Sequence, residues 1–314
     1  MQNILEVSGL KVSYFANWKI KAVEDVSFKI LEGQSLGIAG ESGSGKSTLG
    51  SAIIRSIPYP GRIIEGNIKY DGTEISKVSD KEFNERFRWK KISMIFQGAL
   101  NSLDPVYTVG QQMREILIEH HFTGNIPATI NEVLEQVLLD PKVSKSYPHE
   151  LSGGMKQRVV IAMALLLKPR ILIADEPTTS LDVIVQAQII NLLKKIKTAY
   201  NMSIIFISHD LSIISEIAEV IAIMYGGQLV EFGPAREVYL NPRHPYTQVL
   251  ISSIPRLDKT KGELGLLNGR PPDMSKIKSG CRFADRCKFV KQICESDPPN
   301  IETEGGFVKC WLYK

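Results

Sequence analysis

The stretch SLGIAGESGSGKST (residues 35–48) decides the fold of this 314-residue chain. Residues 35–39 form a short apolar run that predicts a buried strand, and the glycines that follow predict a loop before a helix near Lys46. Residues 40–48 match GxxxxGK[ST], in which glycines allow successive backbone N–H groups to converge on an anion. The helix adds its positive N-terminal end. The sequence therefore predicts a phosphate loop, which consists of Gly40, Glu41, Ser42, Gly43, Ser44, Gly45, Lys46, Ser47 and Thr48.

A second motif, ILIADE (residues 171–176), is an apolar strand that ends in two carboxylates. The carboxyl end of a parallel strand is where such sheets bind ligands. We expect Lys46 to reach the β- and γ-phosphates, while Ser47 and Asp175 hold Mg²⁺. Glu176 is positioned to polarise the attacking water. Together with the phosphate loop, this motif predicts a nucleoside triphosphatase.

The hydrophobic pattern predicts an α/β protein with a parallel sheet. Strands are expected within residues 5–39, and short apolar runs at 171–174 and 204–207 are typical of buried parallel strands. Apolar residues at helical spacing mark a helix over residues 185–196 and a helical insertion over about 98–165. This alternation of strands and helices favours an α/β parallel sheet.

A further helix opens at LSGGMKQR (residues 151–158), which gives the chain a second anion-binding helix N-terminus. One phosphate site rarely needs two helix N-termini. Ser152, Gly153 and Gly154 are therefore expected to contact the γ-phosphate of the nucleotide that a partner subunit binds. With this run, residues 3–255 resemble the ATP-binding subunits of ABC (ATP-binding cassette) transporters. The resemblance implies a P-loop, RecA-like fold with an antiparallel β-subdomain and an α-helical subdomain.

The resemblance also implies roles for single residues. Tyr14 is similar to the aromatic residue that stacks on adenine, and Gln157 belongs to the signature run. Gln97 matches the glutamine that senses Mg²⁺ and the attacking water. Asp182 lies in the loop that crosses the dimer interface, and His209 matches the histidine that contacts the γ-phosphate. The family's catalytic set is thus carried by Gln97, His209 and Glu176.

Three other segments narrow the resemblance to the ATPases of dipeptide, oligopeptide and nickel importers: GALNSLDPVYTVG (98–110), YPHE (147–150) and RHPYTQVL (243–250). Such importers pair two related ATPases with two membrane permeases and an external solute-binding protein. The resemblance implies a peripheral ATPase on the cytoplasmic face of the membrane that powers peptide uptake. Two alternatives remain: the same role for a sugar or nickel, or a soluble non-transport ATPase such as one serving iron–sulfur assembly.

The distribution of net charge divides the chain near residue 255. Residues 256–314 contain 12 basic and 8 acidic side chains and so account for the whole net charge of +4. The neutral first 255 residues argue against a broad nucleic-acid footprint. The longest apolar run, residues 159–167, is too short to cross a membrane, and the N-terminus lacks a signal-peptide pattern. We expect a cytoplasmic chain with a nucleotide-binding domain over 1–255 and a loop-rich extension over 256–314.

All four cysteines, Cys281, Cys287, Cys294 and Cys310, lie in this extension. Zinc sites usually contain Cys-x2-Cys pairs, which are absent from the sequence, whereas wider loop-borne spacing suits an iron–sulfur cluster. Zinc and free or disulfide-bonded thiols stay open as alternatives. Some importers that resemble this chain carry a [4Fe-4S] cluster at cysteines in this order, so the expected cofactors are ATP, Mg²⁺ and a [4Fe-4S] cluster.

Overall fold

The computed structural model describes residues 2–15, 18–98, 102–254, 269–277 and 279–314. The chain divides into two compact units, one made of Met1–Ser76 and Phe206–Lys314 and the other of Lys77–Ile205. The domain boundary predicted near residue 255 falls at residues outside this description. Among the described residues, no helix combines the length and the apolar character that crossing a membrane would require.

The N-terminal part of the first unit contains β1 (Asn3–Phe15), β2 (Lys19–Leu31), β3 (Ser35–Ala39), α1 (Lys46–Ile53), β4 (Gly61–Tyr70) and β5 (Thr73–Glu74). Four of these strands form an antiparallel sheet in the order β2-β1-β4-β5. Leu5 and Val7 of β1 are buried two residues apart, as strand alternation requires, and a register shift between Val7 and Leu10 then moves the buried positions to Leu10 and Val12. β3 is buried at every position, as predicted for a strand in a parallel arrangement.

The second unit contains α2 (Asp80–Arg86), β6 (Ile92–Ile95), α3 (Val109–Glu119), α4 (Ile126–Gln136), α5 (Gly153–Leu165), β7 (Ile171–Asp175) and α6 (Val183–Tyr200). β6 and β7 are parallel neighbours with Ile92 opposite Ile171, and both are buried throughout. α3 begins at a capping box between Thr108 and Gln111. The helical signal over residues 98–165 thus corresponds to α3, α4 and α5.

Strand β8 (Ser203–Ser208) begins in the second unit and ends in the first. The remaining elements of the first unit are α7 (Leu211–Ile217), β9 (Val220–Tyr225), β10 (Gln228–Pro234), α8 (Ala235–Leu240), α9 (Pro245–Ser252), β11 (Asn300–Thr303) and β12 (Gly306–Lys309). Five strands of this unit form a mixed sheet in the order β11-β12-β10-β9-β3, with β3 parallel to β9. The expected α/β class is confirmed.

The described part of the C-terminal extension is rich in loops, as its composition predicted, and it also contains two short strands. β12 pairs antiparallel with β10, where Val308 lies opposite Glu231, and β11 pairs with β12. The cysteine-bearing segment that precedes these strands contains short 3-10 turns at Ala284–Arg286 and Gln292–Glu295. The extension is therefore joined to the sheet of the first unit by main-chain hydrogen bonds, which composition alone does not reveal.

Candidate functional site

The phosphate loop lies between β3 and α1 in the first unit, as the motif predicted. Gly45, the residue before α1, has a φ of 100°, and a Cβ there would lie 2.1 Å from the carbonyl oxygen of Ala22. Only glycine fits this position, because any side chain would be strained and would clash with backbone. No acidic residue occupies the first turn of α1, so the positive end of the helix is not offset there.

Lys46 is nearly fully buried, and its ammonium faces the loop. Its Nζ donates hydrogen bonds to the carbonyl oxygens of Gly40 at 2.8 Å and Glu41 at 2.9 Å. A buried ammonium needs such partners, and the phosphate oxygens of a nucleotide are the stronger acceptors that a lysine in this motif takes. The loop therefore positions the Lys46 ammonium where it can bind the phosphates of a nucleotide.

Tyr14 lies in β1 next to the end of the phosphate loop. Its hydroxyl is 3.3 Å from the Thr48 hydroxyl, and its ring packs so close to Gly61 that a Cβ on Gly61 would lie 2.5 Å from the ring. The structure thus brings Tyr14 to the first turn of α1. Its ring is only partly buried, as a residue that stacks on a base requires, and the adenine-stacking role stays a prediction.

His209 follows β8 in the first unit and is exposed. The next residue, Asp210, caps α7 by accepting a hydrogen bond from the amide of Ser212 at 2.8 Å. This cap fixes the chain just after His209 at a strand-to-helix junction. The γ-phosphate contact of His209 remains a prediction.

In the second unit, the carboxyl ends of the parallel neighbours β6 and β7 bring Gln97 and Glu176 together. Gln97 Nε2 lies 3.3 Å from Glu176 Oε2, which also accepts a hydrogen bond from the Thr179 hydroxyl at 3.0 Å. Asp175, the last residue of β7, is buried. Glu176 has a φ of 47°, a left-handed conformation that is costly for a residue with a side chain and is often found at functional sites.

Thr179 was not identified from the sequence as part of this group. Its position three residues after Glu176 is the sequence signal that could have identified it. In the structure, the Thr179 amide donates a hydrogen bond to the Glu176 carbonyl at 3.2 Å, which closes a tight turn between the two residues. A hydroxyl that donates to one oxygen of a carboxylate restrains the direction in which that carboxylate points. Thr179 therefore helps to orient Glu176.

The signature run forms the N-terminus of α5. The Ser152 hydroxyl accepts a hydrogen bond from the amide of Met155 at 3.3 Å, and Ser152 and Gly153 are exposed. A Cβ on Gly154 would lie 3.0 Å from Val185 of α6, whereas one on Gly153 would lie 3.7 Å from its nearest neighbour, Leu181. Gly154 therefore packs closely against α6, so that a side chain there would displace Val185, while Gly153 has space for a side chain.

Two other predicted residues of this unit occupy different environments. Asp182 is exposed and caps α6 by accepting a hydrogen bond from the amide of Val185 at 3.0 Å. Gln157 is buried within α5 and does not share the exposure of Ser152.

The four cysteines of the extension line a single cavity in the first unit, together with His244 and Phe283. Backbone amides point at two of the sulfur atoms: the Phe289 amide lies 3.4 Å from Cys287 Sγ, and the Lys291 amide lies 3.5 Å from Cys294 Sγ. Burial raises the pKa of Cys281 to about 11 and also raises the pKa of Cys287 and of Cys310. None of the four forms a disulfide.

Within the part of the chain that the structure describes, which includes all four cysteines, no group of three His, Cys, Asp or Glu side chains is arranged to hold a metal ion. His244 is almost fully buried, and burial lowers its pKa to about 3, so it is neutral. Its Nδ1 accepts a hydrogen bond from the amide of Tyr246 at 3.1 Å. This histidine caps α9 and is therefore already used structurally.

Comparisons with known proteins agree with this geometry. The sequence matches the family described as ABC transporter over residues 23–179, and the oligopeptide/dipeptide transporter C-terminal region over residues 230–294. It is 41% identical to the dipeptide transport ATP-binding protein DppD of Bacillus subtilis, over 99% of this chain and 95% of that protein. It is 42% identical to the oligopeptide transport ATP-binding protein OppD of Salmonella typhimurium, over 94% of this chain and 89% of that protein.

A solved structure of an ATP-binding cassette has a similar fold. The dimeric, post-hydrolysis structure of an ATP-binding cassette bound to ADP and Pi matches with a TM-score of 0.65 and 27% identity, over 74% of this chain and 99% of the other. The phosphate loop, the carboxylate strand and the signature helix all lie within the part of the chain that belongs to the cassette. This chain therefore belongs to the ABC transporter family, as an ATPase subunit that carries the C-terminal region of oligopeptide and dipeptide transporters.

Proposed function

We propose that this chain hydrolyses ATP to power the uptake of dipeptides or oligopeptides through a membrane importer. The observation that carries the proposal is the oligopeptide/dipeptide transporter C-terminal region at residues 230–294, which follows the cassette in the same chain. We assign residues 1–255 to the nucleotide-binding domain and residues 256–314 to the extension. Mg²⁺ is expected of an ABC ATPase, with Ser47, Asp175 and Gln97 as its predicted ligands.

The proposed importer places this ATPase at the cytoplasmic face of the membrane, beside a homologous partner ATPase, two permeases and an external solute-binding protein. Support comes from apolar side chains that follow β6: Phe96, Val106 and Tyr107 are exposed by 46%, 70% and 51%. Exposed apolar residues of this size are typical of protein interfaces. A permease that rests there would sense changes close to Gln97.

Uptake by intact cells tests the cargo. Cells that lack this gene are expected to lose accumulation of a labelled dipeptide and a labelled tetrapeptide, and to regain it with the wild-type gene but not with E176Q. Labelled nickel and a labelled sugar serve as parallel cargoes. Loss of nickel or sugar uptake with normal peptide uptake would reassign the cargo, and unchanged uptake of all four would favour a soluble, non-transport ATPase.

We further propose that two ATPases close head to tail, with each signature run acting on the nucleotide of the other subunit. The exposed Ser152 and Gly153 at an N-terminus without acidic residues support this assignment, because such an end attracts phosphate. ATP would then stabilise the closed dimer through its γ-phosphate, whereas ADP could not.

The variant G153D tests this dimer. The position has space for a side chain, so the fold is expected to survive, while the added carboxylate repels the partner's phosphate. In an E176Q background, which prevents turnover at this chain's own site, ATP should drive association with the homologous partner ATPase, and G153D should abolish it, as measured by light scattering of the two subunits together. The control G153A should still associate. ATP-dependent association that persists in G153D would contradict the proposed role of the signature run.

We also propose that the four cysteines bind a [4Fe-4S] cluster. All four line one cavity, and backbone amides face two of their sulfur atoms, as is common where thiolates carry the charge of a cluster. Each thiolate of such a cluster binds its own iron, so the arrangement does not need the close grouping that a single ion requires. When bound, the cluster would link the short turns of an extension with little core of its own.

Metal analysis of anaerobically purified protein tests the cluster. We expect a broad absorption near 400 nm with about four irons and four acid-labile sulfides per chain, because four thiolates form this centre. The fourfold substitution of the cysteines by serine should remove both signals. Colourless protein that contains stoichiometric zinc would assign the site to zinc, and metal-free wild-type protein would leave four thiols.

A further inference from the structure

Glu41, the second residue of the phosphate loop, is where the C-terminal extension contacts the loop. The Arg286 guanidinium binds both oxygens of its carboxylate, with NH1 2.7 Å from Oε2 and NH2 2.9 Å from Oε1. The side chain of Arg286 is only 5% exposed, and that of Glu41 is 22% exposed. A two-pronged pair of this kind fixes orientation as well as distance. The two residues are 245 positions apart in the sequence.

The backbone of Glu41 is also held. Its amide donates a hydrogen bond to the hydroxyl of the buried Tyr246 at 2.8 Å, and its carbonyl accepts one from Lys46 Nζ at 2.9 Å. The side chain, amide and carbonyl of one loop residue therefore each have a partner. Two of these three partners, Tyr246 and Arg286, lie in the region that matches the oligopeptide/dipeptide transporter C-terminal region.

Arg286 is itself fixed by the turn that carries the cysteines. It ends the 3-10 turn Ala284–Arg286, its amide donates to the carbonyl of Phe283 at 3.0 Å, and Cys287 follows directly. Phe283 is buried and packs against the rings of Tyr225 and Tyr246, with centroids 5.2 Å and 5.4 Å away. Arg286 NH1 also donates to the Tyr225 hydroxyl at 3.2 Å. The folded extension thus determines where the guanidinium lies.

We propose that Arg286 is a positioning residue of the nucleotide site, which sets the affinity for ATP by holding and neutralising Glu41 in the phosphate loop. The inference depends on ATP binding by this family and is independent of the cargo and of what the cysteines bind.

Two physical effects support this role. A phosphate loop binds through backbone N–H groups that must converge, so a loop that spends time in other conformations binds ATP more weakly in proportion. In addition, a carboxylate without its cation would stand in the loop that receives a polyanion and would repel it. Arg286 opposes both effects, because it restrains Glu41 and cancels its charge.

Nucleotide affinity of the full-length chain tests the proposal, with a fluorescent ATP analogue as probe. R286Q is expected to weaken binding about tenfold, in the range of coupling between contacting charged residues. R286K keeps the positive charge but lacks the guanidinium that binds both carboxylate oxygens. Its affinity for the ATP analogue should therefore lie between those of R286Q and wild type. The double variant E41Q/R286Q should bind more tightly than R286Q but less tightly than wild type, because it removes the unpaired carboxylate without restoring the restraint on the loop.

The control is K276Q, which removes a cation from the same extension where its pair with Asp273 lies in solvent, and its affinity should equal that of wild type. A merely structural role would lower the melting temperature of R286Q without changing nucleotide affinity, and that result overturns the proposal. Wild-type affinity of R286Q at an unchanged melting temperature also overturns it, as does a double variant that binds no better than R286Q.

Discussion

Glu176→Gln is expected to lower the ATP turnover number by about 10²- to 10⁴-fold while ATP still binds. The substitution keeps the size of the side chain but removes the carboxylate that we propose as the acceptor of the proton of the attacking water. Gln97 and Thr179 lie at hydrogen-bond distance from Glu176 Oε2, so the carboxylate is held in a defined orientation before nucleotide binds. Steady-state phosphate release and fluorescent-nucleotide binding measure the two quantities separately.

The matched control for this prediction is E135Q, which makes the same charge change at an exposed position of α4. Its turnover should equal that of wild type. T179A is a graded test, since it keeps the base but removes the hydroxyl that donates to it, and a smaller loss is expected. Near-normal hydrolysis by E176Q would refute the assignment of Glu176 as the base.

Lys46→Met is expected to weaken ATP binding by about 10- to 100-fold, the loss that follows when a hydrogen bond to a charged group is removed. The ammonium is buried and donates to two carbonyls of its own loop, so its removal also loosens the loop. Both effects act in the same direction on affinity. The ATP-induced rise in melting temperature should therefore vanish at nucleotide concentrations that saturate wild type.

Lys69→Met is the control, because it removes an exposed lysine from β4 of the same unit. Its ATP-induced shift in melting temperature should match that of wild type. K46M should also unfold cooperatively on heating without nucleotide, since the test requires a folded variant. A cooperative K46M protein that keeps the full ATP-induced shift would show that another residue supplies the phosphate contact.

Much of the fold follows from patterns that are short in sequence. β3, β7 and β8 were predicted because parallel strands buried on both faces are apolar throughout. Helix α6 was predicted from the spacing of its buried residues, among them Ile189, Leu192 and Ile196. Strands β11 and β12 of the extension were not predicted, since they carry little apolar pattern; β12 depends on pairing with β10, and β11 depends on pairing with β12.

The sequence by itself determined the phosphate loop, because nine neighbouring residues contain all the groups that give it its shape and charge. The tertiary structure alone decided which distant residues act on it. Glu41 and Arg286 meet only because the extension folds beside the phosphate loop within the first unit, and Gln97 meets Glu176 only because β6 and β7 are parallel neighbours. Local motifs depend on spacing along the chain, whereas such pairs depend on strand order and packing, which no local spacing encodes.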